Sequence, residues 1–442
     1  ERAKRMKGKG ERAQLYQKLE TLIIDEASMV RADLLDCVDA FLRLARSMPG
    51  TPFGGAQMIF IGDLYQLPPV VSGKGEKAAF SSHYASPYFF SAAAFQECVC
   101  EFVELQKIYR QRDQDFIDIL NAVRNRTVTP EHLSRLNVRV DPGFEPPRHE
   151  FYITLTPTNA EAAAINALRL GELHGQLFQS KAFVTGDFDL KQAPTETNLD
   201  LKPGAQVMML NNDREGRWVN GTVGQVARII AGSDDDPAAL EVKFSNGQSE
   251  EVSPHTWDLF SYFYDQERRV LDTEVVGSFT QYPLRLAWAV TIHKSQGKTF
   301  DKMVLDMGRG AFSHGQTYVA LSRCTSLQGL VLKKPIIKSH VMLDFRVVKF
   351  LTQYQYARSE VNLPLEEKVR MIKKAIRLRA KLRILYLKAQ DEKSSRIITP
   401  RKVGEMEYEG YEFLGLEAFC HTRQDTRVFR VDKILEMREV KN

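Results

Sequence analysis

Two acidic residues at the end of an apolar run are the first feature with chemical content. Leu22-Ile23-Ile24 runs directly into Asp25-Glu26, then Ala27-Ser28. A buried strand of this kind would deliver Asp25 to a magnesium ion bound to nucleotide phosphates, and Glu26 to the water that attacks them. The same pattern also describes a solvated strand end with two acids. A second apolar run, Met58-Ile59-Phe60-Ile61, ends in Gly62-Asp63-Leu64-Tyr65-Gln66-Leu67-Pro68-Pro69-Val70. Here Gln66 would reach a γ-phosphate or its water. Tyr65, Pro68 and Pro69 would form a rigid apolar knob on which a base stacks. The plainer reading of the proline pair is a stiffened loop.

These groups need elements that end at a common edge. Phe151 to Leu155 runs into Thr156-Pro157-Thr158-Asn159, followed by an Ala-rich helical stretch over 160–170. Ala287 to Ile292 runs into His293-Lys294-Ser295-Gln296-Gly297. Short apolar strands that end in functional groups, with helices between them, indicate buried parallel strands in an α/β domain. Ligands bind such sheets at the carboxyl ends of the strands. Residues 205–280 read differently. Val207 to Leu210, Gly224 to Val226 and Leu240 to Phe244 suit strands, with turn signals at Asn220-Gly221 and Ser245-Asn246-Gly247. Together they predict a small antiparallel barrel inserted into the α/β region. Residues 346–364 read as a connector. A basic helix follows, then a strand-rich tail containing Ile384-Leu385-Tyr386, Gly410 to Leu414 and Val428 to Val431.

The 442 residues are 43% hydrophobic and 26% charged, which excludes disorder as the main state and suggests two to four domains. No apolar run approaches the ~20 residues a membrane helix needs, so no membrane partner is expected. The first residues are charged, Glu1, Arg2, Lys4 and Arg5, unlike a signal peptide. Cys37, Cys98, Cys100, Cys324 and Cys420 are scattered without a C-x-x-C, which argues against a disulfide framework or zinc and suits a reducing cytoplasm. The net charge of +5 is concentrated. Residues 366–383 hold eight Lys/Arg and two Glu, so the remainder sums to −1. This is a local basic face.

Six segments occur in the order seen in superfamily 1 helicases: Asp25 to Ser28, Gly62 to Val70, Tyr109-Arg110-Gln111, Thr156 to Asn159, Thr291 to Gly297, and Tyr318 to Arg323. They resemble the 5′-to-3′ branch that holds RecD and the petite-integration-frequency helicases. The resemblance covers about residues 15 to 335. It implies tandem P-loop (RecA-like) α/β domains with a small Src-homology-like barrel inserted in the second. By it, Asp25 resembles the magnesium-binding carboxylate, Glu26 the catalytic base and Gln66 the γ-phosphate sensor. Arg110 and Arg323 resemble the two arginines aimed at the γ-phosphate, and Gly297 falls in a nucleotide-binding motif. Thr156, Thr158, Asn159, Thr291, His293, Lys294, Ser295 and Gln296 match positions that track a single strand through its phosphates. ATP and Mg2+ are the implied cofactors. Single-stranded DNA and DNA forks are the implied partners, with other repair or recombination proteins beside them.

The tail, about residues 370–440, resembles a WYL domain through Arg396 to Pro400, Phe413-Leu414-Gly415 and Arg427 to Ile434, although Glu412-Phe413-Leu414 stands where Trp-Tyr-Leu gives the family its name. Arg396, Arg423, Arg427 and Arg430 are its candidate nucleic-acid contacts, against a plainer reading as partners of nearby glutamates. The expected organisation is then a truncated first RecA-like domain over 1–105, a second over 106–204 and 281–345, the barrel at 205–280, a linker at 346–365, and a β-rich WYL domain with its leading helix at 366–442. A phosphate loop, G-x-x-x-x-G-K-[ST], is missing: Gly297-Lys298-Thr299 has Ile292 where the first glycine belongs, and Gly73-Lys74-Gly75 and Gly8-Lys9-Gly10 lack the hydroxyl. The expectation is a carboxyl-terminal part of a longer 5′-to-3′ DNA helicase, inactive by itself. Two competing readings are a non-hydrolysing single-strand-binding adaptor and a motor subunit of a recombination complex.

Overall fold

The computed structural model describes residues 11–440 apart from 72, 106, 148–149, 233–237, 266–269, 388–392 and 409. The Gly8-Lys9-Gly10 run lies outside them. The chain divides into two compact units, residues 1–342 and 343–442.

The first unit is built on two parallel layers whose strands are numbered β1 to β6. β1 (Thr21–Ile24) pairs with β2 (Gln57–Phe60) in parallel, Ile24 opposite Phe60. Ile23, Ile59 and Ile61 are exposed on this pair. The second sheet has the order β4 (Ala289–Thr291), β3 (Ile153–Thr156), β5 (Met303–Leu305), β6 (Leu330–Leu332), all parallel. Its strands are short and apolar because helices cover them; Ile153, Leu155, Val290, Met303, Leu305, Leu330 and Leu332 are buried in one core. Three helices matter to the site: α1 (Gln114–Arg124), α2 (Asn159–Gly171) and α3 (Gln316–Ser322). Thr158 caps α2 by accepting the Glu161 amide at 3.3 Å.

The antiparallel region recruits strands from both sides of 205–280. A five-stranded sheet runs in the order 249–252, 239–244, 223–230, 206–209, 284–286, over a core that includes Val207, Val226, Leu240, Val242 and Phe244. The hairpin His255–Asp265 and Val270–Gln281 forms a separate three-stranded sheet with Phe183–Gly186. Glycine at 186 permits that pairing: its φ is +60°, and a Cβ there would stand 2.3 Å from the Val276 carbonyl oxygen.

In the second unit the stretch expected as a linker is an 18-residue helix, α4 (Phe345–Asn362), capped by Asp344, whose carboxylate accepts the Arg346 amide. Its buried positions are Val347, Leu351, Gln355 and Ser359, a clean i, i+4 row. α5 (Leu365–Leu378) is the expected basic helix, and it packs with a five-stranded antiparallel sheet in the order 425–430, 411–420, 393–408, 382–387, 434–439. Ile372, Ala375, Ile384, Ile398, Leu416 and Phe429 share its core. One of the eight cations departs from a solvated face: Lys368 is buried, which lowers its pKa.

Candidate nucleotide and nucleic-acid site

At the end of β1 the Asp25 carboxylate is exposed, and its Oδ1 accepts the Glu26 amide at 2.8 Å. Glu26 has φ +49° and ψ 42°, the left-handed region that costs a non-glycine residue about 1–2 kcal/mol. The chain then enters a short turn in which Ser28 is fully buried with its hydroxyl unpartnered. Gly62 lies against this turn, and a Cβ there would stand 2.9 Å from the Ala27 nitrogen. The two strand ends are thereby locked together, with the Ala27 amide donating to the Ile61 carbonyl at 2.9 Å.

Across from them stand two arginines. Arg110 donates through Nε to Thr299 Oγ1 at 2.9 Å and through Nη1 to the Ser322 carbonyl at 3.2 Å. Arg323, 2% exposed, donates to the Val319 carbonyl, the Lys298 carbonyl and Ser322 Oγ. Both are therefore anchored at Ser322, and among the described residues neither has a carboxylate within ion-pair distance. Burial lowers the Arg110 pKa, while burial and then the neighbouring Arg110 pull Arg323 down to about 10. The field of Glu26 favours the charge of both. Gln111 holds the same segment, donating to the Ser322 and Cys324 carbonyls at 3.0 and 2.9 Å. Gln66 is half-buried, and its Oε1 has no hydrogen-bond partner. Gly297 has φ +72° and open space around it.

Tyr65 is not the stacking platform the sequence suggested. It is 4% exposed, with the Arg124 guanidinium 4.1 Å from its ring centroid, so its face is already covered. Pro68 is half-buried and Pro69 buried. The strand-tracking candidates also divide. Thr156 and Thr291 face each other in register at the ends of β3 and β4, but both are buried; Thr156 Oγ1 donates to the Thr158 carbonyl and Thr291 Oγ1 accepts the Lys294 amide. Ser295 is fully buried and donates to the Ile292 carbonyl at 2.8 Å. These three hydroxyls brace the strand ends and present nothing to a strand of DNA. Thr158, Asn159 and Lys294 are exposed, with His293 and Gln296 half-exposed beside them. Burial lowers the His293 and Lys294 pKa values, and Arg285 lowers Lys294 further.

In the second unit Arg396 is buried at 7% exposure, on the same face as its strand partner Ile384, and is not a surface contact. Arg423 and Arg427 are exposed. Arg430 pairs with Asp432 at 2.7 Å, which raises its pKa, and lies over the Phe413 ring. Sequence reasoning missed Arg124, Tyr318 and Asp63, which meet beside Tyr65. Only Asp63 and Tyr318 fell within a quoted motif; nothing local marks Arg124.

Residues 2–132 match the PIF1-like helicase family and residues 367–439 the WYL domain. The ATP-dependent DNA helicase PIF1 of Rattus norvegicus is 36% identical over 354 residues, which cover 77% of this chain and 50% of that one. The chain thus spans about half the length of the curated vertebrate relatives it matches. The crystal structure of Bacteroides sp. Pif1 in complex with ADP-AlF4 is similar at 36% identity over 79% of this chain and 78% of that one, with a TM-score of 0.70. Bacteroides Pif1 bound to ssDNA is similar at 37% identity over 78% and 77%, with a TM-score of 0.58. Strand-end chemistry, sheet order and these likenesses define a RecA-like helicase fold. The chain belongs to the PIF1-like helicase family, and a WYL domain occupies its residues 367–439.

Proposed function

We propose that this chain works within an ATP-dependent DNA helicase that moves 5′ to 3′ along one strand. The observation that carries the proposal is the arginine pair. Arg110 and Arg323 are held at Ser322, without a carboxylate partner among the described residues, in the field of Glu26. Buried cations are costly unless paired, so such a pair suits an anion that arrives from outside, and a γ-phosphate has the required charge. The orphaned Gln66 Oε1 suits a sensor waiting for the attacking water or a phosphate-bound group.

The residues present fit magnesium in the usual manner of nucleotide sites. Mg2+ takes one or two carboxylates and fills its remaining positions with phosphate oxygens and water. Asp25 offers one exposed carboxylate at a strand end, and no cluster of three or more acidic, His or Cys ligands occurs among the described residues. Bound magnesium would neutralise phosphate charge. Glu26 would orient the attacking water. Thr158, Asn159, His293, Lys294 and Gln296 would follow the strand's phosphates. The names of the relatives support ATP and DNA as ligands. The 5′-to-3′ direction, DNA forks as substrate and repair or recombination proteins as partners rest on the family resemblance.

These 442 residues contain no phosphate loop, so hydrolysis is tested with a phosphate-loop segment joined ahead of them. Arg110→Ala and Arg323→Ala should each lower DNA-stimulated kcat by roughly 10³-fold or more, far beyond any loss in DNA affinity. Unchanged DNA-stimulated hydrolysis in both variants would sink the assignment. Displacement of blocks from labelled strand ends reads the direction separately.

A further inference from the structure

Arg124 ends α1 and reaches back to the turn that follows β2. Its Nη2 stands 3.6 Å from Asp63 Oδ1, with its guanidinium over the Tyr65 ring. The same Asp63 oxygen accepts the Tyr65 amide at 3.0 Å, and the Asp63 carbonyl accepts the Gln66 amide at 2.9 Å. Asp63 therefore closes the turn that presents Gln66. From the other side, α3 contributes Tyr318, whose phenol lies in the field of the Asp63 carboxylate. Burial, and then the Asp63 charge, push that phenol well above its ordinary range, so it stays a donor. α3 approaches closely because its cap is glycine: a Cβ on Gly315 would stand 2.3 Å from the Gln66 carbonyl oxygen and 2.5 Å from that of Tyr65. Arg323 follows at the end of the same helix.

We infer that Arg124 and Tyr318 are positioning residues which, through Asp63, tie the Gln66 turn to the helix that carries Arg323. Neither reaches the reacting atoms. Arg124 pairs with the carboxylate that shapes the turn, and Tyr318 lies in its field from a different helix of the second sheet's layer. The sensor glutamine and the arginine pair are thereby held in one geometry, although they come from opposite sides of the cleft. At 3.6 Å the contact is an ion pair, and the planar guanidinium serves both the carboxylate and the aromatic ring. A flexible lysine could supply the charge without the stack.

The inference rests on reading Gln66 as the γ-phosphate sensor, but its test needs no nucleotide. Amide hydrogen exchange on the intact 442-residue chain is read at Tyr65 and Gln66, with the β3 amides of Ile153–Thr156 as an internal reference. Arg124→Met keeps the bulk and removes the charge. It should speed exchange at Tyr65 and Gln66 by roughly tenfold relative to β3. Arg124→Lys should restore part of the protection, and Tyr318→Phe should give a smaller increase at the same two amides. Exchange in Arg124→Met equal to the unmodified chain would mean that Arg124 only fills space, and the inference fails. Should Arg124→Met also loosen β3, Tyr318→Phe decides alone: unaltered exchange at Tyr65 and Gln66 overturns the inference. Loss of hydrolysis in Arg110→Ala or Arg323→Ala is a separate result and does not depend on this tie.

Discussion

Arg323 shows how a single side chain can oppose the stability of its own fold. Its guanidinium is bonded to two carbonyls and a hydroxyl, and among the described residues no carboxylate lies within ion-pair distance of it. The folded-state pKa, about 10, lies below the ordinary 12.5. The unfolded chain therefore binds the proton more tightly. The destabilising contribution is fully present below about pH 10 and fades as pH rises toward the unfolded value. Replacing a buried, unpaired charge with an apolar chain of similar length is often neutral or stabilising. Arg323→Met should therefore leave the melting temperature unchanged or raised, while hydrolysis by the chain joined to a phosphate-loop segment is lost. A drop beyond about 4 °C in thermal unfolding would show that its three hydrogen bonds outweigh its charge. Arg110 and Arg323 were legible from the sequence because each sits inside an ordered motif. Their company was not. Arg124, Asp63 and Tyr318 are distant along the chain, and only folding brings them to one carboxylate.

Between elements, α3 meets the turn that presents Gln66 backbone against backbone. Gly315 caps α3 with φ +71° and faces the 65–66 turn with no room for a Cβ. Gly315→Ala must push α3 away from the turn as well as strain its own backbone. It should destabilise the first unit by about 1–3 kcal/mol in chemical denaturation. Hydrolysis by the chain joined to a phosphate-loop segment should fall more than that loss of folded protein explains. A variant with unchanged stability and turnover would remove the close contact from the account. At this scale the sequence was legible wherever a strand is short, apolar and followed by chemistry, as in β1 to β4. It misled where burial is polar. The buried row of α4 includes Gln355 and Ser359, and the Ser359 hydroxyl donates to the Ile434 and Leu435 carbonyls. Two of four core positions therefore carry no apolar signal, and a helix reads as a connector. Thr156, Thr291 and Ser295 misled in the other direction, since hydroxyls at strand ends suit phosphates and internal braces equally well.

For the whole molecule, the division at residue 342 matters more than the modest net charge. Residues 343–442 have their own core and a run of exposed cations. Lys373, Arg377, Arg379, Lys381 and Arg383 are exposed along α5 and the chain that follows, and no carboxylate pairs with any of them among the described residues. Arg370 and Lys374, by contrast, are held by Glu367 and Glu439. This unit, expressed alone, should fold and bind single-stranded DNA weakly. The logarithm of affinity should fall with the logarithm of salt at roughly −0.7 per phosphate neutralised. Arg427→Ala, which removes a cation unpaired among the described residues, should flatten that slope more than Arg430→Ala, whose charge Asp432 already meets. Absence of binding at low salt would leave the WYL domain as a ligand sensor, a partner dock or a spacer.

The backbone at Glu26 has a bearing on ancestry. A glutamate is held there at φ +49°, where glycine would sit without strain, and a glutamate codon becomes a glycine codon by one base change. A lineage that abandoned ATP hydrolysis would gain stability from that change and lose nothing by it. On the proposed role of Glu26 in orienting the attacking water, a lineage that still hydrolyses ATP cannot accept it. On that role, position 26 would serve as a marker of descent: across related genes, an acid retained against the preference of the backbone would mark a working motor, and glycine or asparagine a chain that has become a scaffold.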